Sequence, residues 1–174
     1  MTRRLVTLAA LLALVTLASC GDDEDPGGGG QTADTQETPP PNPDETLRDT
    51  STKPVIPRPT GSPPRKLVVE DIVRGKGPAA KNGSTVVVHY VGVNFSNGLE
   101  FDASWDSGSP FPVQLGSGGV IEGWEKGLVG IRKGGRRMLT IPPELGYGAE
   151  GYPPDIPPNE TLVFVVDAVA VEPG

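Results

Sequence analysis

Every aromatic residue of this 174-residue chain, Tyr90, Phe95, Phe101, Trp105, Phe111, Trp124, Tyr147, Tyr152 and Phe164, lies between positions 90 and 164. Aromatic rings carry the largest apolar surface that a chain can bury, so a folded core must be built around that stretch. Their crowding into fewer than half of the positions also points to an aromatic-lined cavity. The whole sequence divides by composition into three blocks.

Block one spans residues 1–20: Arg3 and Arg4, an apolar run over positions 5–18, and the close Leu17-Ala18-Ser19-Cys20. A basic start, a short apolar run and small residues before a cut are the layout of a secretory signal peptide. The 14-residue run is shorter than the roughly 20 residues that a spanning helix needs, so cleavage is expected rather than a permanent anchor. The small residues ahead of Cys20 resemble the bacterial lipobox. That resemblance implies lipidation of Cys20 as the mature N-terminus, and an exported protein held at a cell membrane by its lipid. Cys20 is the chain's single cysteine, which excludes an internal disulfide.

Block two, residues 21–65, holds ten prolines, six glycines and nine acidic residues against four basic ones. A stretch so poor in apolar residues buries no core, and it reads as a disordered tether spanning about 35 to 40 Å. Block three, residues 66–174, carries 13 acidic and 9 basic residues. Acids in excess speak against nucleic-acid binding. Arg132-Lys133 and Arg136-Arg137 read as a solvated turn and strand face rather than a binding patch.

Within block three, five stretches carry strand patterns: 67–73, 85–93, 99–101, 136–141 and 161–171. Asn97-Gly98 is a hairpin dipeptide between two of them. Ile121, Trp124, Leu128 and Ile131 instead recur at helical spacing, and Gly134-Gly135 ends the run. Gly123 and Gly127 cost that helix about 1 kcal/mol each relative to alanine, so tertiary packing must hold it. The expected fold is α+β: a twisted antiparallel sheet of about five strands wrapped around one short helix.

Five motifs then occur in a telling order: Val88-His89-Tyr90-Val91-Gly92, Phe101-Asp102-Ala103-Ser104, Val120-Ile121-Glu122-Gly123-Trp124-Glu125-Lys126-Gly127, Ile141-Pro142-Pro143-Glu144-Leu145-Gly146-Tyr147-Gly148, and Ile156-Pro157-Pro158-Asn159-Glu160-Thr161-Leu162-Val163-Phe164. In order and spacing this block resembles the FKBP-type, macrolide-binding peptidyl-prolyl cis-trans isomerases over nearly all of residues 66–174. The resemblance implies a hydrophobic pocket between sheet and helix. Trp124 would be its floor, beneath the substrate proline ring, with Tyr90, Phe101, Phe111, Val120, Ile121 and Phe164 as walls. The Ile121 N–H would meet a substrate carbonyl, and Asp102 and the Tyr147 hydroxyl would be the polar contacts that matter for activity. Tyr152 and Ile156, in the loop overhanging the pocket, complete the implied substrate-binding set. Proline-containing polypeptides and macrolides are the implied ligands; no metal or cofactor is called for, and a monomer is expected.

Chemistry fits such a site. Amide resonance sets a rotation barrier of about 18 to 20 kcal/mol, and X-Pro bonds isomerise over tens to hundreds of seconds. No bond is made or cut, so a catalyst need only favour the twisted, less polar amide, and an apolar pocket with a few fixed donors can do so. His89, mid-strand, is read as structural rather than catalytic. Two departures from the family pattern, Tyr152 where histidine is frequent and Asp155 where an apolar residue is usual, should bear on substrate preference or macrolide affinity. Taken without the resemblance, Trp124 with Ile121 and Leu128 is simply the core face of a helix, Asp102 a turn residue and Tyr147-Gly148 a turn. The competing function is a module that binds proline segments through the same pocket without turnover.

Overall fold

The computed structural model describes residues 43–174. The expected signal peptide of residues 1–20, the expected lipidation at Cys20 and the first part, 21–42, of the expected 21–65 tether lie outside the described residues.

The described residues open with a helix α1 (Pro43–Arg48), run in extended form to β1 (Val68–Val73), and continue through β2 (Lys76–Ala79), β3 (Thr85–Asn94) and β4 (Glu100–Ala103). A single turn α2 (Ser104–Ser107), β5 (Phe111–Gln114), α3 (Glu122–Gly127), β6 (Arg132–Lys133), β7 (Arg136–Ile141), a 3-10 turn (Pro143–Leu145) and β8 (Leu162–Glu172) follow. The main sheet runs β1-β7-β8-β3-β4, all antiparallel, and β4 and β5 share one edge of β3: β4 pairs with Val91 to Val93, β5 with Thr85 to Val88. β2 and β6 form a separate two-stranded ribbon.

This is the α+β fold expected, with a six-stranded main sheet rather than five strands. β5 escaped notice because Pro112 interrupts its apolar pattern, and proline is tolerated there since β5 lies at an edge. α3 is also shorter than the 121–131 spacing suggested. Its two glycines have a cause: a Cβ on Gly123 would fall on the Ile141 side chain, and one on Gly127 would lie 2.7 Å from Leu139 Cδ2. The helix is pressed against β7 more closely than alanine allows.

Period-two alternation sends side chains to two faces of the sheet. Val86 and Val88 of β3, Leu139 and Ile141 of β7, and Leu162, Phe164 and Val166 of β8 pack beneath α3 with Trp124 and Leu128. Val91, Val93 and Val163 point the other way, where Ile56, Phe95, Trp105 and Met138 pack on them. Trp105 also stacks on His89 with ring centroids 4.5 Å apart, while His89 Nδ1 lies 3.0 Å from Ser104 Oγ.

Arg136 and Arg137 are corrected by the same alternation. Both are buried, on opposite faces of β7. Arg137 donates to the carbonyls of Gly127 (2.7 Å) and Val129 (2.9 Å) at the end of α3 and to Asp71 (2.6 Å). Arg136 forks onto Asp167 (2.5 and 2.8 Å) and donates to the carbonyls of Thr46 (2.5 Å) and Thr52 (2.9 Å). Residues 43–65 thus form a strap across the sheet's outer face, which differs from a disordered linker reaching Arg65. Composition hid this because the strap is held by its backbone carbonyls and by Lys53, which pairs with Glu100 (2.8 Å) and Asp106 (2.7 Å), and not by an apolar core of its own.

Candidate functional site

Between α3 and the concave face of the sheet opens a cavity of about 470 Å³, lined by Tyr90, Phe101, Asp102, Phe111, Gly118, Gly119, Val120, Ile121, Trp124, Tyr147 and Phe164. Its volume lies in the range of small-ligand sites. Trp124, only 4% exposed, projects from α3 at the base, and Phe164 (β8) and Tyr90 (β3) meet it edge to face at 5.2 and 5.1 Å. Phe101 packs on Phe164 at 5.4 Å and 87°, and Phe111 on Tyr90 at 6.2 Å and 74°. T-shaped contacts set each ring edge against a neighbour's electron-rich face, which fixes the rings without filling the space between them.

The packing of these rings depends on Gly92. A Cβ there would come within 2.7 Å of both Phe101 Cζ and Phe164 Cε1, so only glycine lets the two rings meet over β3. The mouth on the α3 side depends on Glu125, whose carboxylate accepts the N–H groups of Gly116 (2.5 Å) and Gly118 (2.8 Å). Helix and glycine-rich turn are thereby joined, and Val120 and Ile121 follow directly. The Ile121 N–H donates to nothing among the described residues, while its carbonyl takes the N–H groups of Trp124 and Glu125.

Polar groups are few. The Tyr90 hydroxyl donates to Asp102 Oδ2 at 2.6 Å. Burial first, and then this hydrogen bond, hold the Tyr90 phenol far above its ordinary range, so it stays a donor throughout the physiological range. The Tyr147 phenol is also raised, by burial and then by the nearby Asp102 and Tyr152. Among the described residues no group of three His, Cys, Asp or Glu side chains is placed to share a metal ion.

Of the residues singled out from sequence, Asp102, Tyr147, Trp124, Tyr90, Phe101, Phe111, Val120, Ile121 and Phe164 come together around this one cavity. Tyr152 and Ile156 do not line it. Tyr152 is 63% exposed and touches the site through the Tyr147 ring, at 5.7 Å, and Ile156 is buried in the core and pairs with Tyr152 across a short bridge. Gly92, Gly118, Gly119 and Glu125 were not singled out as site residues. Gly92 and Glu125 both lie within the recognisable motifs; the signal lay in their neighbours, but close approach and a capped turn are visible only in three dimensions.

A family model described as FKBP-type peptidyl-prolyl cis-trans isomerase matches residues 77–169. The chain is 54% identical over 120 residues to the FK506-binding protein of Streptomyces anulatus, covering 68% of this chain and 97% of that one. It is 48% identical over 120 residues to the probable FK506-binding protein of Corynebacterium glutamicum, covering 68% and 98%. Among solved structures, FkpA from Escherichia coli superposes with a TM-score of 0.56 at 50% identity, over 62% of this chain and 48% of that one. AtFKBP13 does so with a TM-score of 0.55 at 37% identity, over 60% and 91%.

Proposed function

This chain belongs to the FKBP-type peptidyl-prolyl cis-trans isomerase family, and on that footing we propose that it accelerates rotation about X-Pro bonds in polypeptides outside the cytoplasm. The observation that carries the reading is the aromatic cavity over Trp124 with Asp102 and Tyr147 as its main polar side chains. A proline ring resting on Trp124 leaves its amide among apolar walls, where the planar, dipolar form loses hydration that the twisted form needs less. The free Ile121 N–H holds a substrate carbonyl, and Tyr147 offers a second donor. Asp102, oriented by the Tyr90 hydroxyl, supplies a fixed carboxylate beside the twisting bond. No proton need be transferred. Macrolide binding, which the names of the relatives suggest, would occupy the same cavity.

The proposed organisation is a signal peptide over 1–20, lipid attachment at Cys20, a connecting stretch over 21–42, and an isomerase unit from Pro43 onward. It rests on the signal-like sequence and on the strap. Replacement of Cys20 by Ala should release the protein from membrane fractions; retention there would refute the lipid anchor.

The deciding experiment is refolding of a small protein whose slow phase is limited by proline isomerisation. The purified protein at micromolar concentration should speed that phase, and Trp124→Ala or Asp102→Ala should slow it at least tenfold relative to wild type while the variants stay folded. Binding of proline peptides with no acceleration would leave a recognition module. Unchanged rates in both variants would move the site elsewhere.

A further inference from the structure

The segments that build the cavity, residues 90–125 and 138–164, contain no lysine or arginine but nine acidic residues: Glu100, Asp102, Asp106, Glu122, Glu125, Glu144, Glu150, Asp155 and Glu160. Five of these are already engaged. Lys53 of the strap holds Glu100 and Asp106, and Lys126 holds Glu122. Glu125 takes two backbone N–H groups of the glycine-rich turn, and Glu160 the Ser96 backbone and hydroxyl. Asp102, Glu144, Glu150 and Asp155 are left exposed and without an ion pair among the described residues.

Their placement follows the chain around Tyr147. Glu144 sits in the 3-10 turn three residues before it. Glu150 sits in the turn that the Gly151 N–H closes onto the Tyr147 carbonyl at 3.2 Å. Asp155 sits in the tight Tyr152–Ile156 loop, fixed by Asn94 Nδ2 on its own carbonyl at 2.8 Å, and that loop lays the Tyr152 ring on Tyr147. Asp102 is in the cavity wall itself. The charges that these segments carry without an ionic partner are therefore all negative, and the unpaired cation beside Glu144, Arg65 of the strap, borders a separate hollow with it and not the cavity. A cleft lined by one sign of charge beside low-dielectric walls concentrates the opposite charge.

On the reading of the cavity as the substrate site, we infer that this isomerase selects proline segments carrying lysine or arginine close to the proline, and disfavours acidic ones. The apolar floor accepts any proline; Asp102, Glu150 and Asp155 grade what flanks it.

The test is a set of proline peptides that differ only in Lys, Ala or Glu next to proline, with cis-trans exchange followed by NMR and binding by the quenching of tryptophan fluorescence. At about 10 mM salt, where screening lengths reach about 30 Å, kcat/KM should run Lys over Ala over Glu, with Lys and Glu separated by roughly three- to tenfold. At about 1 M salt the ordering should collapse, since the screening length falls to about 3 Å. The double variant Glu150→Gln with Asp155→Asn should narrow the low-salt spread and leave the Ala peptide unchanged. Equal rates for the three peptides, a preference for Glu, or a full Lys preference persisting in the double variant would overturn the inference and leave the isomerase reading standing. If no peptide isomerised, the isomerase reading would fail, and the fluorescence series would still accept or reject the charge preference by the same ordering.

Discussion

Single atoms decide the cavity's shape. At Gly92 a methyl group would need space that Phe101 and Phe164 occupy at 2.7 Å, and neither ring can retreat without disturbing Trp124 or the cavity wall. Gly92→Ala is expected to cost about 1 to 3 kcal/mol by overpacking, read as a lowered urea midpoint, and to reduce isomerase activity more than stability alone would. Unaltered activity would show that the two rings do not set the site. Tyr90 offers a second measurement at the same scale. Its folded pKa lies above the ordinary value of 10.0, so the native state keeps a proton that the unfolded chain surrenders there. That contribution is whole below pH 10 and is lost as pH rises further toward the folded pKa. Urea midpoints taken from pH 8 to 12 should fall more steeply for the wild type than for Tyr90→Phe; parallel curves would refute the coupling.

At the scale of elements, α3 shows what sequence could and could not convey. The spacing of Ile121, Trp124 and Leu128 marked a helix and its buried side, and the glycines marked a weak one. What the glycines are for is not a local property: they let the helix axis approach Leu139 and Ile141, two residues on a strand that follows later in the chain. Gly127→Ala is therefore expected to destabilise the protein by about 1 to 3 kcal/mol despite alanine's better helix propensity, with the chemical-denaturation midpoint as the readout. A stabilised variant would mean that Leu139 yields. Eight of the nine cavity residues were legible because they lie inside recognisable motifs, and Phe111, between two of them, followed from the resemblance of the whole block. The β5 edge strand was not, since Pro112 and the glycine-rich neighbourhood obscure its alternation. Arg136 and Arg137 were misread for a similar reason: a charged pair on a strand looks solvated until carbonyls from other elements are known to be waiting on both faces.

For the molecule as a whole, the strap changes where the folded unit begins. The family match starts at residue 77, and a domain drawn from composition starts at 66, yet Arg136 spends donors on carbonyls at Thr46 and Thr52. Removing residues 43–65 would leave a charge fully buried in the intact fold with half its partners gone, and would strip Ile56 from the outer cluster over Val91, Val93 and Val163. A buried ion pair that loses its supporting hydrogen bonds is costly, because each orphaned donor must find water at a face built to exclude it. The truncated chain should accordingly be less stable by about 3 kcal/mol, or about 10 °C in melting temperature. The cavity lies on the opposite face of the sheet and none of its lining comes from the strap, so isomerase activity measured well below the melting point should persist within about twofold. Thermal unfolding of the two chain lengths, run beside a low-temperature rate measurement, separates the possibilities. A truncated protein with an unchanged melting temperature would show that the strap only rests on the sheet. One that stays folded in the cold but loses activity would show instead that the outer face and the cavity are coupled through β3, β4 and β8, the strands whose side chains serve both.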